Sequence, residues 1–148
     1  MNTSIGERWD KHMPNLVEEF GYNAGKIWDT LNTQGPLSET KLLSKTMLDE
    51  RQLHAAIGWL ARENKICKNG TIYKLGQTNL TNKIGADAGK LWNALNTKKE
   101  ADMSSVAKMA KIQERDAYTA LGWLARENKI DTYIITTPKE KKIKIKLK

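Results

Sequence analysis

The stretch that decides the fold is Gly58-Trp59-Leu60-Ala61-Arg62-Glu63-Asn64-Lys65-Ile66, which recurs unchanged at residues 122–130. A second pair of matching stretches, within residues 21–33 and 85–97, has the same offset of 64 and shares Ala-Gly-Lys-x-Trp-x-x-Leu-Asn-Thr. Between residues 21 and 66, 20 of 46 positions are identical to their partners, with no gap. Because a solenoid usually needs three or more repeats, two copies of this length indicate a duplicated domain.

The repeat divides the chain into four parts. We expect an N-terminal arm at residues 1–13, a first domain at residues 14–76, a linker at residues 77–79 and a second domain at residues 80–148. A linker this short holds the two domains close together. One hypothesis is that the duplication replaces homodimerisation by building a dimer into one chain.

Each copy is predicted to contain three helices. In the first helix the apolar residues recur at spacings of three and four, which forms one buried stripe; they are Leu16, Phe20, Ala24, Ile27 and Leu31. Ser38 and Asp102 are expected to cap the second helix of their copies, and Asp49 with Gln52 is expected to form a capping box at the third.

The ends of the helices and the hairpins are marked by turn residues. Asn32 and Asn96 are expected to end the first helices, and Asn64 and Asn128 the third, because Asn tolerates the left-handed conformation. A hairpin is predicted at residues 65–75, with Asn-Gly at positions 69 and 70 as its tip. The second hairpin is predicted from strands at residues 130–136 and 142–147.

Three helices followed by a hairpin is the order of a winged helix-turn-helix domain, in which the third helix is the recognition helix and the hairpin is the wing. The predicted fold is therefore mainly α with small β-hairpins, as tandem winged helix-turn-helix domains, each with three helices and a two-stranded wing. The chain resembles a small prokaryotic winged helix-turn-helix domain family of unknown function. The resemblance rests on Ala-Gly-Lys-x-Trp-x-x-Leu-Asn in the first helix and Gly-Trp-Leu-Ala-Arg-Glu-Asn-Lys-Ile in the third, and it covers residues 14–148. It implies the fold and says little about function.

Composition and charge indicate the class of partner. Apolar residues make up 39% of the chain and charged residues 28%, which is ordinary for a globular protein. The absence of a long apolar stretch and the single cysteine, Cys67, predict a protein of the cytoplasm or nucleoid, with no membrane partner. The net charge is +8, and residues 138–148 contribute six lysines and one glutamate. We therefore expect an anionic partner for the C-terminal segment.

The outward face of the third helix supplies the first candidate DNA contacts. On a helical wheel that face holds Arg51, Ala55, Gly58 and Arg62 in the first copy, and Arg115, Thr119, Gly122 and Arg126 in the second. Glycine in the middle of a helix is costly, so Gly58 and Gly122 indicate that something approaches closely there. A DNA backbone is one interpretation, and a packed helix or wing is the other.

Arg51 and Arg115 lie in the first turn of the third helices, where such proteins commonly touch base edges. Acidic residues flank both arginines, so local ion pairing is the alternative interpretation. Arg62 and Arg126, near the helix ends, also suit the helix dipole without any ligand.

Trp59 and Trp123 lie on the flank of the third helix. They either pack within their own domain or, together with Gly58 and Gly122, belong to an interface with another protein or a second copy.

The C-terminal strand alternates lysine with apolar residues and so predicts an all-lysine face, formed by Lys142, Lys144, Lys146 and Lys148. Lysine binds phosphate without choosing a sequence. Four helical lysines are expected to extend this surface: Lys98, Lys99, Lys108 and Lys111. The alternative is that these lysines protect an edge strand from aggregation.

Nothing in the sequence indicates catalysis. The chain has two histidines and shows no zinc-ligand spacing, phosphate-binding glycine loop or nucleophile motif, so no catalytic residue, metal, cofactor or small-molecule ligand is predicted. The predicted function is non-enzymatic binding of double-stranded DNA, as a transcriptional regulator or nucleoid-architectural protein, largely through phosphate contacts. The alternative is a winged-helix module that binds a protein partner.

Overall fold

The computed structural model describes residues 15–136 and 138–148, so the arm predicted at residues 1–13 lies outside the described residues. The first half contains α1 (Leu16–Gln34), β1 (Leu37–Ser38), α2 (Glu39–Thr46), α3 (Glu50–Arg62), β2 (Ile66–Asn69) and β3 (Ile72–Leu75). The second half contains α4 (Thr81–Lys98), β4 (Glu100–Asp102), α5 (Met103–Ala110), α6 (Glu114–Arg126), β5 (Ile130–Thr136) and β6 (Lys141–Leu147). The two halves have the same order of elements.

Side-chain caps begin the helices as predicted. The Ser38 hydroxyl accepts a hydrogen bond from the Lys41 backbone N–H, and Asp102 accepts one from Ser105 at the start of α5. At the start of α3, Asp49 and Gln52 exchange hydrogen bonds in a complete capping box. These caps satisfy backbone donors that have no partner within the helix, and they fix where each helix begins.

The ends of the helices agree with the prediction only in part. Asn64 and Asn128, just after α3 and α6, both have a φ of 61°, which confirms them as left-handed residues. The prediction that Asn32 and Asn96 end the first helices is wrong, because α1 and α4 continue for two more residues beyond each of them. In α1 the stop comes at Gly35, which adopts a φ of 80° without the steric cost that Asn would incur.

Each wing is a three-stranded antiparallel sheet rather than a hairpin alone. The strand orders are β1-β3-β2 in the first half and β4-β6-β5 in the second, so the last strand of each half lies in the centre. The predicted hairpins are confirmed, except that the first one turns at Gly70 and Thr71 instead of at residues 69 and 70. A short strand before the second helix is added to each. Strands of two or three residues are too short to show an alternating pattern in the sequence.

The two halves share their hydrophobic cores. Phe20 of α1 packs into the core of the second half, and its repeat partner Ile84 of α4 packs into the core of the first. Each first helix therefore closes the core of the other half. Such reciprocal contacts are what a two-fold symmetric dimer shows, here within one chain.

Two asparagines repeat this exchange at the wings. The Asn79 side chain accepts from the Lys68 N–H at 3.0 Å and donates to the Lys68 carbonyl at 2.7 Å. Its partner Asn15 accepts from the N–H of Thr132, the residue equivalent to Lys68, at 3.4 Å. The segment before each first helix is thus fixed to the wing of the other half.

Candidate nucleic-acid interface

The two predicted recognition helices, α3 and α6, pack directly against each other. A Cβ atom placed on Gly58 would lie 1.8 Å from the Thr119 carbonyl oxygen, and one on Gly122 would lie 1.8 Å from that of Ala55. Only glycine permits backbones to approach this closely. The glycines that the sequence singled out therefore mark a helix–helix contact, and another helix is what approaches them.

This contact covers the face that was expected to read DNA. Ala55 is 0% exposed, and Thr119 is only partly exposed. The prediction that Ala55 and Thr119 line an outward DNA-binding face is wrong for this arrangement, because that face is the interface between the halves. The helical wheel misplaced them because α3 and α6 each bury two faces, one in the core of its own half and one against the other helix.

Two reciprocal ion pairs flank the helix contact at the C-terminal ends of α3 and α6. The Arg62 Nε donates to Glu127 at 3.1 Å, and the Arg126 Nε donates to Glu63 at 3.0 Å. Arg62 and Glu63 are the repeat partners of Arg126 and Glu127, so the two pairs are equivalent. Both arginines, which were predicted as DNA contacts, have intramolecular partners across the interface.

Trp59 and Trp123 contact both halves of the molecule. The guanidinium of Arg126 lies 5.8 Å from the ring centre of Trp59, and that of Arg62 lies 5.6 Å from that of Trp123. In its own half, Trp59 covers Gly21, whose added Cβ would lie 3.0 Å from the ring. The two tryptophans therefore belong to the interface between the halves and also pack within their own half.

Arg115, at the start of α6, reaches into the first half. Its Nη2 donates to Glu39 at 3.1 Å and lies 3.4 Å from Nε2 of His54, which itself lies 3.1 Å from Glu39. Tyr73 is buried beside this group. Burial raises the pKa of Tyr73 to about 12; the charge of Glu39 adds to the rise and that of Arg115 opposes it.

Arg51, at the start of α3, reaches into the second half in the same way. It lines a pocket together with Tyr118 of α6 and lies 3.7 Å from the Asp49 carboxylate. Burial raises the pKa of Tyr118, and the nearby Arg51 guanidinium partly opposes this rise. Both arginines that were candidates for base contacts thus join the two halves, and local ion pairing, the alternative interpretation, is present at Arg51.

The lysine-rich strand β6 lies in the centre of its sheet, so the interpretation of its lysines as protection of an edge strand is wrong. Residues directly opposite each other on antiparallel strands share a face. Lys146 therefore lies between Glu100 of β4 and Asp131 of β5. The Lys148 ammonium lies 3.8 Å from the Asp131 carboxylate. Acidic neighbours partly balance this end of the lysine face.

The other end of the lysine face has one acidic neighbour on β4. Lys144 lies opposite Asp102. Lys142 lies on the same face of β6, two residues closer to the start of that strand. Burial acts to raise the pKa of Asp102, but the hydrogen bond from Ser105 and the charges of Lys142 and Lys144 outweigh it, so the pKa lies below its ordinary value. The two lysines therefore stabilise the charged form of Asp102.

The remaining basic candidates are exposed. Lys98 and Lys99 lie at the end of α4, and Lys108 and Lys111 lie at the end of α5. Residues 98–111 and 130–148, which include β4, α5, β5 and β6, carry ten lysines and four acidic residues, so they hold +6 of the chain's net charge of +8. The equivalent residues of the first half, 34–47 and 66–76, carry four lysines and one glutamate.

Sequence reasoning missed Glu39, His54, Asn15 and Asn79. The two asparagines could have been found, because they are identical at the offset of 64 just upstream of the aligned region. Glu39 and His54 gave no signal, since their repeat partners are Met103 and Tyr118 and their contacts join elements far apart in the chain.

Within the described residues, 15–136 and 138–148, no group of three or more His, Cys, Asp or Glu side chains could hold a metal ion. No helix in that part of the chain has both the length and the apolar character needed to span a membrane.

The family described as "Winged helix-turn-helix domain (DUF2582)" matches the chain twice, at residues 13–75 and at residues 79–147. Comparison with curated proteins and with solved structures finds no match. The two matched segments correspond to the two halves of the fold.

Proposed function

We propose that this chain, which belongs to the winged helix-turn-helix family DUF2582, is a non-enzymatic protein that binds double-stranded DNA through its second wing and α5. The observation that carries the proposal is the uneven charge. The sheet and α5 of the second half hold +6 of the net charge of +8, whereas the equivalent segments of the first half, with four lysines and one glutamate, hold +3. A concentrated basic surface of this kind suits the phosphate backbone of DNA.

The packing of α3 against α6 determines the mode of binding. Since Ala55 and Gly58 face another helix of the same chain, α3 does not lie in a major groove. Phosphate contacts then supply the affinity, and sequence selectivity is low. Such a protein would act at the nucleoid, as an architectural protein or a regulator that is recruited without reading bases through α3 or α6.

The lysines expected to contribute most are exposed ones at the rim of the second wing and at the end of α5. Lys139 lies in the connection between β5 and β6, Lys141 begins β6, and Lys108 and Lys111 lie at the end of α5. Lys146 and Lys148 contribute less, because Asp131 lies beside both.

The test is fluorescence anisotropy of a labelled random-sequence duplex, titrated with protein over a range of salt concentrations. The variant K108Q/K111Q/K139Q/K141Q removes four charges from the basic surface, and the control K26Q/K41Q/K45Q/K74Q removes four exposed lysines from the first half. We expect the first variant to bind weakly and to show a log–log salt slope that is smaller by about 0.9 for each lost phosphate contact. The control should bind like the parent. Equal losses in both variants would show that only net charge matters and would contradict the assigned surface.

A specific observation favours the second candidate function, binding of a protein partner. Trp28 and Trp92, at equivalent positions of α1 and α4, are each 36% exposed. Trp92 and Gly89 line an open groove of about 410 Å³. A Cβ atom added to Gly89 would have no neighbouring atom within 4 Å, so there is free space beside this residue. Absence of duplex binding even at low salt would reject the DNA proposal and favour this one.

A further inference from the structure

The helices α1 and α4 lie on opposite sides of the central pair formed by α3 and α6. α1 packs mainly against α3, and α4 packs mainly against α6. Because the repeat relates α1 to α4, each turns an equivalent face away from the central pair and toward solvent. Since α3 and α6 cover each other, these two outer faces are the helix surfaces available for contacts between molecules.

The outer face of α1 carries a projecting aromatic ring. Tyr22 is 69% exposed, and the Lys26 ammonium lies 5.2 Å from the centre of its ring. Glu18 precedes this pair by one turn and Asp29 follows it, so the four exposed side chains form one stripe along the helix. We call these four residues the Tyr22 face.

The corresponding side of the second half is open. Ala86 is the repeat partner of Tyr22, so no ring projects from α4 at that position. Beside it lies the groove of about 410 Å³, whose lining includes Gly85, Gly89 and Trp92 of α4 and Trp123 of α6. We call these four residues the Trp92 groove.

The two halves are not equivalent in the width of this groove. A Cβ atom added to Gly85 would lie 3.8 Å from the Trp123 ring, whereas one added to its partner Gly21 would lie 3.0 Å from the Trp59 ring. The tryptophan therefore lies closer to α1 in the first half than its partner lies to α4 in the second. One half presents a projection and the other an opening, which favours a contact between unlike surfaces.

The charges of α1 and α4 are also opposite. α1 has three acidic residues and one lysine, a net charge of −2, and α4 has three lysines and one aspartate, a net charge of +2. On α1 these residues are Glu18, Glu19, Lys26 and Asp29; on α4 they are Lys83, Asp87, Lys90 and Lys98. Opposite charges on two surfaces favour their encounter and fix which surfaces meet.

We propose that copies of this chain associate head to tail, with the Tyr22 face of one copy seated in the Trp92 groove of the next. A contact between unlike surfaces leaves one of each free at the ends, so it can be repeated to form a series of copies. This inference names a second copy as the partner for the protein-binding function, and it does not depend on DNA binding.

The experiment is sedimentation velocity of the full-length protein without DNA, at concentrations up to about 1 mM, where weak contacts are populated. One helix seated in one groove is a small contact, so we expect weak association. The weight-average sedimentation coefficient should rise with concentration beyond the value for two copies. A parent protein that stays monomeric, or whose assembly stops at two copies, overturns the proposal. The DNA proposal is unaffected by this result, since no DNA is present.

Two variants each block one surface. Y22R removes the projecting ring and places a positive charge against the basic α4, and G89E fills the groove and places a negative charge against the acidic α1. Both positions are exposed, and a Cβ on Gly89 meets no atom within 4 Å, so both variants should keep the fold. S44R and S44E make the same charge changes at an exposed position of α2 and should associate like the parent.

Mixing the two variants tests the direction of the contact. Y22R keeps the Trp92 groove and G89E keeps the Tyr22 face, so each alone should stay monomeric. An equal mixture should form pairs and nothing larger. Pairing of G89E alone would join two Tyr22 faces, and pairing of Y22R alone would join two Trp92 grooves; either result overturns the head-to-tail contact. A mixture that stays monomeric overturns it as well.

Discussion

The two halves of the molecule share the glycines and the ion pairs at the centre of their contact, and they differ in the residues around that centre and in the wings. At the helix contact, a Cβ atom added to Gly58 or to Gly122 would lie 1.8 Å from the backbone carbonyl oxygen of the facing helix in both cases. In the clusters around Arg115 and Arg51, by contrast, Glu39 is replaced by Met103, and the second wing is longer and more basic than the first. The comparison teaches that the interface preserves a two-fold arrangement while the outer surfaces have become specialised.

The strongest way to break the two-fold arrangement is to change Gly58 or Gly122 to alanine. The new Cβ would collide with a backbone carbonyl, which cannot rotate away as a side chain can, so α3 and α6 must separate. We expect each variant to lose about 3 kcal/mol or more of unfolding free energy, measured by urea denaturation, at the upper end of the cost of overpacking.

The matched controls for this experiment are Gly25→Ala and Gly89→Ala. An added Cβ meets nothing within 4 Å at either position, and both glycines lie inside exposed stretches of helix. Alanine there should raise the unfolding free energy by roughly 0.5–1 kcal/mol. If Gly58→Ala behaved like Gly25→Ala, the close helix contact would be refuted.

A smaller effect should separate the cluster around Arg115 from the cluster around Arg51 at high pH. The pKa of Tyr73 is raised from 10.0 to about 12, mainly by burial and then by Glu39, so folding favours the neutral phenol. This stabilisation is complete below pH 10 and is lost as the pH rises from about 10 to about 12. A rise of about two pKa units corresponds to roughly 2–3 kcal/mol.

The measurement is urea denaturation of the parent protein and of Tyr73→Phe at intervals between pH 9 and pH 12. The parent should lose stability more steeply than the variant, because the variant has no phenol to ionise at this site. Tyr118→Phe gives the comparison with the cluster around Arg51, where burial also raises the pKa of Tyr118 but Arg51 opposes the rise. Parallel curves for the parent and Tyr73→Phe would show that Tyr73 ionises equally easily in the folded and unfolded chains.

The smallest expected effect tests the equivalence of the two ion pairs. Arg62→Met and Arg126→Met each remove one ion pair and one stacking contact with a tryptophan. Since both arginines are substantially exposed, each change should cost about 1 kcal/mol or less. The two losses in unfolding free energy should agree within the error of denaturation curves. A large difference between them would mean that the interface is not two-fold.

Much of the fold could be predicted because the relevant signals are local. The caps at Ser38 and Asp102 and the first hairpin depend only on neighbouring residues, and the structure confirms them, although the hairpin turns at Gly70 and Thr71, one residue after the predicted tip. The short strands β1 and β4 could not be predicted, because they form only when the last strand of each half lies beside them.

The candidate site was harder to predict because its contacts join residues that are far apart in the chain. Gly58 indicated a close approach, but the sequence alone could not distinguish DNA from another helix. Ala55 was misplaced because a helical wheel assumes one buried face, whereas α3 has two. The pairing of Arg115 with Glu39 spans 76 positions of the chain, and no periodic pattern predicts such a contact.

The reciprocal contact of α3 and α6 also explains which part of the sequence has stayed the same. In a dimer of identical chains, any substitution appears at both related positions at once. After duplication and fusion each copy mutates alone. A substitution in the contact between α3 and α6 must then still fit an unchanged residue of the other half, whereas a substitution on an outer surface has to fit only its own half. The longest identical run, residues 58–66 and 122–130, begins at the contact itself and continues through the two ion pairs. On the hypothesis that the duplication replaced a homodimer, fusion lets the outer surfaces evolve separately and keeps the axis under mutual constraint.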